Sequence, residues 1–142
     1  MFAFKKSNVK PEVPVIKTLP TTASTAYKIG DALVLTGGKL AKATGTTIPR
    51  YICACNYSAP AENPEDIAVY LIAPGMEWDT TFAADASSVT EGSKVTIHTD
   101  AAQVTATTTS GIVTILKKYG TGASGTAVRV TFDGAVPAAA AG

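Results

Sequence analysis

The sequence predicts an all-β fold: a small barrel or sandwich of about eight short strands behind an extended N-terminal arm. Three observations carry this. The 142 residues include 21 Thr and 24 Ala, and only 16% are charged. That mix suits half-buried pleated surfaces better than charged, solvated helices. Apolar and polar residues alternate over short runs, and Gly, Pro, Asn or Asp closes each run. No segment carries an apolar stripe of helical period.

The elements follow in order. Residues 1–25 read as an arm, because Pro11, Pro14 and Pro20 each remove a backbone donor and restrict the residue before them. Its apolar residues Phe2, Phe4, Val9, Val13, Val15, Ile16 and Leu19 are too many for a solvated linker. A segment of this kind can add a strand to the open edge of a neighbour. Residues 26–133 form the domain. Residues 26–36 are a strand broken at Gly30-Asp31, and 39–43 alternate again, so Gly37-Gly38 predicts a hairpin turn. Residues 50–57 and 67–73 are strands on either side of an acidic, proline-containing loop, and Pro74-Gly75 stops the second. Residues 76–82 make another strand, followed by an Ala/Asp/Ser connection that suits one helical turn. Runs at 94–98, 103–107, 112–119 and 126–132 complete the set. Residues 134–142 are an Ala-rich tail expected to be disordered.

Composition narrows the chemistry. One His and two Cys leave no His-rich metal site and at most one disulfide. Lys5-Lys6 is followed by Ser7-Asn8-Val9-Lys10-Pro11-Glu12 rather than the apolar run of a signal peptide, so synthesis in the cytoplasm is expected. No apolar stretch is long enough to span a membrane as a helix. Charge is uneven. Residues 1–50 hold seven Lys and one Arg against two acids, net +6; residues 51–100 hold eight acids against one Lys, net −7. Either the two regions lie side by side and neutralise each other, or the basic segment docks on an acidic surface elsewhere. Nucleic acid is a poor partner, since no aromatic platform interleaves with the cations.

Cys53 and Cys55 share one strand face, and zinc would need four ligands where only His98 could join them, so they read as small core side chains. His98 is the sole imidazole and alternates onto the polar face with Thr96, which argues against a catalytic triad. Glu77 and Asp79 flank Trp78 on one face; they suit acid–base chemistry or a cation, but acids on an edge strand more often prevent edge pairing. The loop 120–125 is Gly-rich but lacks the Lys-Ser/Thr pair and helix start of a phosphate loop. Trp78, with Met76, could fill a partner's pocket or the core. No catalytic residue, metal or cofactor is called, and the chain reads as a non-enzyme.

Lys28-Ile29-Gly30-Asp31-Ala32-Leu33-Val34-Leu35, then Gly37-Gly38-Lys39-Leu40-Ala41-Lys42-Ala43, resembles the opening hairpin of the small capsid decoration (cement) proteins of tailed bacteriophages. Gly92-Ser93-Lys94-Val95-Thr96-Ile97 and Gly111-Ile112-Val113 are also similar to them. The resemblance covers roughly residues 26–133 and consists of turn-and-strand patterns. It implies a structural head protein of the virion that binds the capsid exterior and stabilises the shell, often as a homotrimer. Its partner would then be the major capsid protein, reached through the arm. The residues expected at that contact are Phe2, Phe4, Lys5, Lys6, Lys10, Val13, Val15, Ile16 and Lys17, with Met76 and Trp78 at a subunit or partner interface. The alternative is a carbohydrate- or ligand-binding β-module on a virion or cell surface, with Tyr70, Trp78 and Tyr119 as its stacking platform.

Overall fold

The computed structural model describes residues 1–8 and 13–133, and these contain strands and no helix. The strands are β1 (Ala3–Ser7), β2 (Ile16–Leu19), β3 (Ala26–Tyr27), β4 (Ala32–Thr36), β5 (Lys39–Lys42) and β6 (Tyr51–Cys53). They continue with β7 (Tyr57–Ser58), β8 (Ile67–Leu71), β9 (Met76–Thr81), β10 (Lys94–Val95), β11 (Val113–Lys118) and β12 (Ala127–Phe132). All strand pairings are antiparallel. An outer sheet has the order β1-β9-β12-β11-β10, and a central sheet the order β2-β8-β6-β4-β5. A two-stranded ribbon joins β3 to β7. The all-β expectation holds, in sandwich form, but with twelve strands among the described residues instead of about eight, because edge strands from residues 1–19 and two-residue pieces add to the set.

Each sheet's sequence matches what covers it. In the outer sheet Met76, Trp78 and Thr80 of β9 are buried, and Glu77, Asp79 and Thr81 between them are not. Strand β12 repeats this with Val128, Val130 and Phe132 inward and Arg129 and Thr131 outward. Such period-two alternation marks a sheet with one wet face. The central sheet is apolar on both faces. Ile52 joins the main core against Trp78, Ile115, Val128 and Val130, whereas its neighbours Tyr51 and Cys53 enter a second cluster with Tyr27, Leu33, Leu40, Val69 and Leu71. That second cluster lies under the β3–β7 ribbon. It is closed where Thr21 bridges Leu40 in parallel and Leu40 N–H donates to Pro20 O at 2.8 Å. Double coverage is why residues 67–73 read as a nearly unbroken apolar run.

The predicted hairpin is present. Thr36 pairs with Lys39 around Gly37 and Gly38, whose φ values of 59° and 80° make the two-residue turn that fits strand twist. Other expectations are corrected. The run 50–57 is two strands, because the chain leaves the central sheet after Cys53 and pairs with β3 from Tyr57. Of 94–98 only Lys94–Val95 is a strand, and of 103–107 only Val104 makes a bridge. The connection after Phe82 is a turn in which Asp85 Oδ1 accepts from Ser87 N–H at 2.9 Å, not a helical turn.

The largest correction concerns the arm. The described parts of segment 1–25, residues 1–8 and 13–25, are not separate from the domain. Strand β1 pairs with β9 and supplies the outer sheet's edge; β2 pairs with β8 and supplies the central sheet's edge. Phe2 is in the main core, with its ring centroid 5.1 Å from that of Phe132. Pro14 and Pro20 stand just outside the two ends of β2, so they limit its length without detaching it; Pro11 lies outside the described residues. The tail 134–142 lies outside the described residues.

Candidate functional site

The N-terminal strands place the expected contact residues in three different settings. Phe2 is buried and Phe4 is half-buried, edge-on to Trp78 at 5.4 Å between centroids. Both are core residues, contrary to the expected contact role, because β1 turns Phe4 toward Trp78 in register. Lys5 and Lys6 are exposed. A bulge between Phe4 and Lys6 allows these consecutive lysines to reach acids of β9 on the outer face. Lys5 Nζ lies 3.7 Å from Asp79 Oδ2, and Lys6 Nζ lies 3.6 Å from Glu77 Oε2. Lys10 lies outside the described residues.

Val13, Val15, Ile16 and Lys17 keep the exposure that a contact requires. Val13 is 66% exposed, Val15 44% and Ile16 63%. Strand β2 is bonded to β8 on one side, and no strand pairs with its other side among the described residues. Three exposed aliphatic side chains within four residues, on an open sheet edge, make an adhesive surface. Lys17 makes no ion pair among the described residues.

Met76 and Trp78 are both 1% exposed. The interface role expected for them is corrected: they point inward on β9, an interior strand between β1 and β12. The same placement removes the edge-guarding role of Glu77 and Asp79. Their carboxylates are held by the chain's own cations. Arg129 Nε donates to Asp79 Oδ1 at 2.9 Å, Arg129 Nη1 stands 3.9 Å from Glu77 Oε1, and Asn8 Nδ2 donates to Glu77 Oε2 at 2.9 Å. The hydrogen bond from Arg129 to Asp79 raises the guanidinium pKa above its ordinary value. The basic and acidic segments therefore neutralise each other here, within one outer face.

An apolar pocket of about 320 Å³ opens beside β1, lined by residues of β1, β6, β8 and β9 and of the loops around Pro14 and Ile29. Phe2, Phe4, Tyr70 and Trp78 line it, with Pro14 and Ile29. The buried Trp78 Nε1–H has no acceptor among the described residues. Of the three aromatics suggested as a sugar platform, Tyr70 and Trp78 meet at this pocket, and Tyr119 is not among its lining residues. Trp78 is sealed, Tyr70 is half-buried in the central sheet, and Tyr119 stands on the outer sheet with Lys117 Nζ 5.4 Å and Arg129 5.8 Å from its ring centroid.

The remaining candidates have structural settings. Cys53 is buried and Cys55 half-buried, both as free thiols. Cys53 Sγ–H donates to Cys55 O at 3.0 Å, and burial pushes the Cys53 thiol up to about 11. Raised above the ordinary value near 9, it stays a protonated, unreactive thiol at neutral pH. In the native protein at pH 8, iodoacetamide is therefore expected to modify Cys55 first and Cys53 only after unfolding, as peptide mass mapping would read. The sign for stability follows: a folded pKa raised above the unfolded one contributes stability below about pH 9 that is lost as pH rises toward 11. Rapid native labelling of Cys53 would contradict this placement.

Among the described residues no hydrogen bond joins the His98 ring to a serine or a carboxylate, and no group of three or more His, Cys, Asp or Glu could hold a metal ion. In the 120–125 loop, Gly125 N–H donates to Phe82 O and Gly122 O accepts from Ala86 N–H. These backbone groups tie the loop to residues 82–86 instead of cradling a phosphate.

Sequence reasoning named Val13, Val15, Ile16 and Lys17 but missed the spacing that organises them. Pro14, Ile16, Thr18 and Pro20 share one parity along β2. The signal was visible in Val-Pro-Val-Ile-Lys-Thr-Leu-Pro, yet it has meaning only once β8 is known to lie on one side. No family model matches this chain, and no curated protein matches it.

Proposed function

We propose that this protein is a non-catalytic structural module that attaches to the outer surface of a tailed-phage capsid and stabilises the shell, bound to the major capsid protein. The observation that supports this reading is β2 and its approach, where Val13, Val15 and Ile16 stand in water on an open edge beside Lys17. The contact surface is the face of a bound strand, so the ordering cost of a free arm does not arise.

The test is co-sedimentation of the purified protein with undecorated capsids. Deleting residues 2–19 is not a clean probe, because it removes Phe2 and both edge strands. The double variant Val13→Asp/Ile16→Asp is expected to lower capsid binding at least about tenfold, since charge at an apolar contact centre leaves an unpaired, desolvated group. Its urea midpoint should stay at the parent value, because both positions are exposed. Undiminished co-sedimentation of a folded double variant overturns the reading. So does absence of shell binding by the parent protein, and a positive glycan array would then favour the carbohydrate module. Sedimentation equilibrium of the free protein reads whether it forms the homotrimer that the resemblance implies.

A further inference from the structure

We propose that the open edge of β2 receives an extended segment of a different protein as an added antiparallel strand, with a carboxylate set across from Lys17. This deepens the reading above and rests on β2 being the contact surface.

The argument begins with the ladder. Ile16 pairs with Tyr70 and Lys17 with Val69, and Leu71 N–H donates to Val15 O at 2.8 Å. In an antiparallel pair, residues that exchange hydrogen bonds alternate with residues that do not. Val15, Lys17 and Leu19 therefore turn their backbone groups toward β8. Ala54 N–H donates to Ala68 O at 3.1 Å, which directs Ala68 toward β6 and leaves Val69 and Leu71 for β2. Ile16 and Thr18 thus point their N–H and C=O groups away from the sheet. Pro14 and Pro20 occupy the two flanking positions of the same parity and have no N–H to offer. Pro20 O already accepts from Leu40 N–H. The result is a short docking edge of two donors and two acceptors, bracketed by prolines.

A second copy of this chain fits that edge badly. Two β2 strands related by a two-fold axis can meet in three registers that align outward groups. Centring on Lys17 sets two lysines directly opposite each other, a destabilising like-charge pair. Centring on Ile16 sets Thr18 against Pro14, and centring on Thr18 sets Ile16 against Pro20. Each of these loses a hydrogen bond. Prolines and a lysine are the ordinary means of keeping sheet edges apart. A merely guarded edge, however, has no need of Val13, Val15 and Ile16 in water. The edge excludes itself and stays adhesive toward another chain.

The side chains set what that chain carries. Lys17 lies on the face of β2 shared with Val69, and Ile16 lies on the face shared with Tyr70, beside the aromatic pocket. The residue opposite Lys17 is therefore acidic, and its two neighbours, which come down beside Ile16 and Thr18, are apolar. The pattern is apolar–acidic–apolar in extended form.

The probes are two capped pentapeptides, Thr-Val-Glu-Val-Thr and Thr-Val-Lys-Val-Thr, titrated into the full-length protein and followed by amide NMR. With the Glu peptide, the amides of Ile16 and Thr18 are expected to shift downfield and gain exchange protection. The amide of Lys17, already bonded to β8, should change little. Lys17→Glu should weaken the Glu peptide about tenfold and bring the Lys peptide up to the parent's affinity. Thr18→Pro should abolish protection at Ile16 with little loss of stability, since its N–H faces away from β8. No protection with either peptide overturns the proposal. So does protection insensitive to the charge at position 17, or protection that rises with protein concentration alone, which would assign the edge to a second copy. Peptide protection without shell binding leaves the edge proposal standing and sinks the capsid reading. Shell binding with no peptide effect does the reverse.

Discussion

Gly111→Ala is expected to destabilise the fold by roughly 3 kcal/mol, the upper range of overpacking. A methyl group at Gly111 would meet the carbonyl of Lys94, and it would stand 2.6 Å from the nitrogen of Val95. Both are backbone groups of β10, which pairs with β11 through Lys94–Thr114 and Val95–Val113. A flexible side chain could move aside; a strand in a ladder cannot without breaking its pairing. Ile112 N–H donates to Val95 O at 2.9 Å, so the crowding falls where this edge of the outer sheet is held. Val95, Ile112 and Val113 are core residues that would shift with it. Urea unfolding followed by Trp fluorescence reads the effect. A midpoint equal to that of the parent would show that β10 can retreat freely. Gly37→Ala serves as the contrast. Nothing lies within 4 Å of its added methyl, and its cost is confined to the positive φ of 59°.

Trp78→Ala is expected to cost about 3–5 kcal/mol. The indole is the largest fully buried side chain and sits where both sheets meet. Its ring centroid lies 5.4 Å from that of Phe4 and 6.3 Å from that of Phe132, both edge-on. Truncation leaves a cavity spanning β1, β9 and β12, whose walls are strands in continuous ladders and cannot collapse far. For a domain of this length such a loss is a large part of the total stability. Trp78→Phe should be much milder. It keeps an aromatic body and removes an indole N–H that has no acceptor. Leaving a buried donor unsatisfied costs about 1–3 kcal/mol, which offsets much of the lost volume. If Trp78 were an interface residue, Trp78→Ala would spare the urea midpoint and weaken partner binding. The expected result is the opposite: a lowered midpoint for Trp78→Ala, and unchanged capsid binding by the folded Trp78→Phe protein.

Several features of this fold were legible in one dimension. The alternation at 76–81 and 126–132, the Gly37-Gly38 turn and the absence of a helical stripe each follow from local geometry. Alternation reports which side chains share a face, and two successive glycines accept the positive φ values of a tight hairpin. Gly111 shows where local reasoning ends. It reads as a turn glycine, yet its φ is unexceptional; it is small because the backbone of Lys94 and Val95 passes against it.

The candidate surface divides in the same way. That residues 1–19 are apolar and basic, and that strands β1 and β2 are extended, was readable directly from the prolines and the composition. Whether each apolar residue meets water was not. Phe2 is buried and Phe4 half-buried because β9, some seventy positions further on, has a free side for β1. Val13 and Ile16 are exposed because, among the described residues, β8 is the one strand paired with β2. The pairing of Lys5 with Asp79 and Lys6 with Glu77 was likewise an unresolved choice between internal and external neutralisation until β1 and β9 were neighbours. The all-β class, the hairpin and the inward sets of single strands are local properties, since these depend on the pleat and on φ. Which strands lie at edges, and which apolar groups remain in water, emerges only when the sheets assemble. Those are properties of contacts between residues far apart in the chain, and no local pattern encodes which partner strand stands alongside.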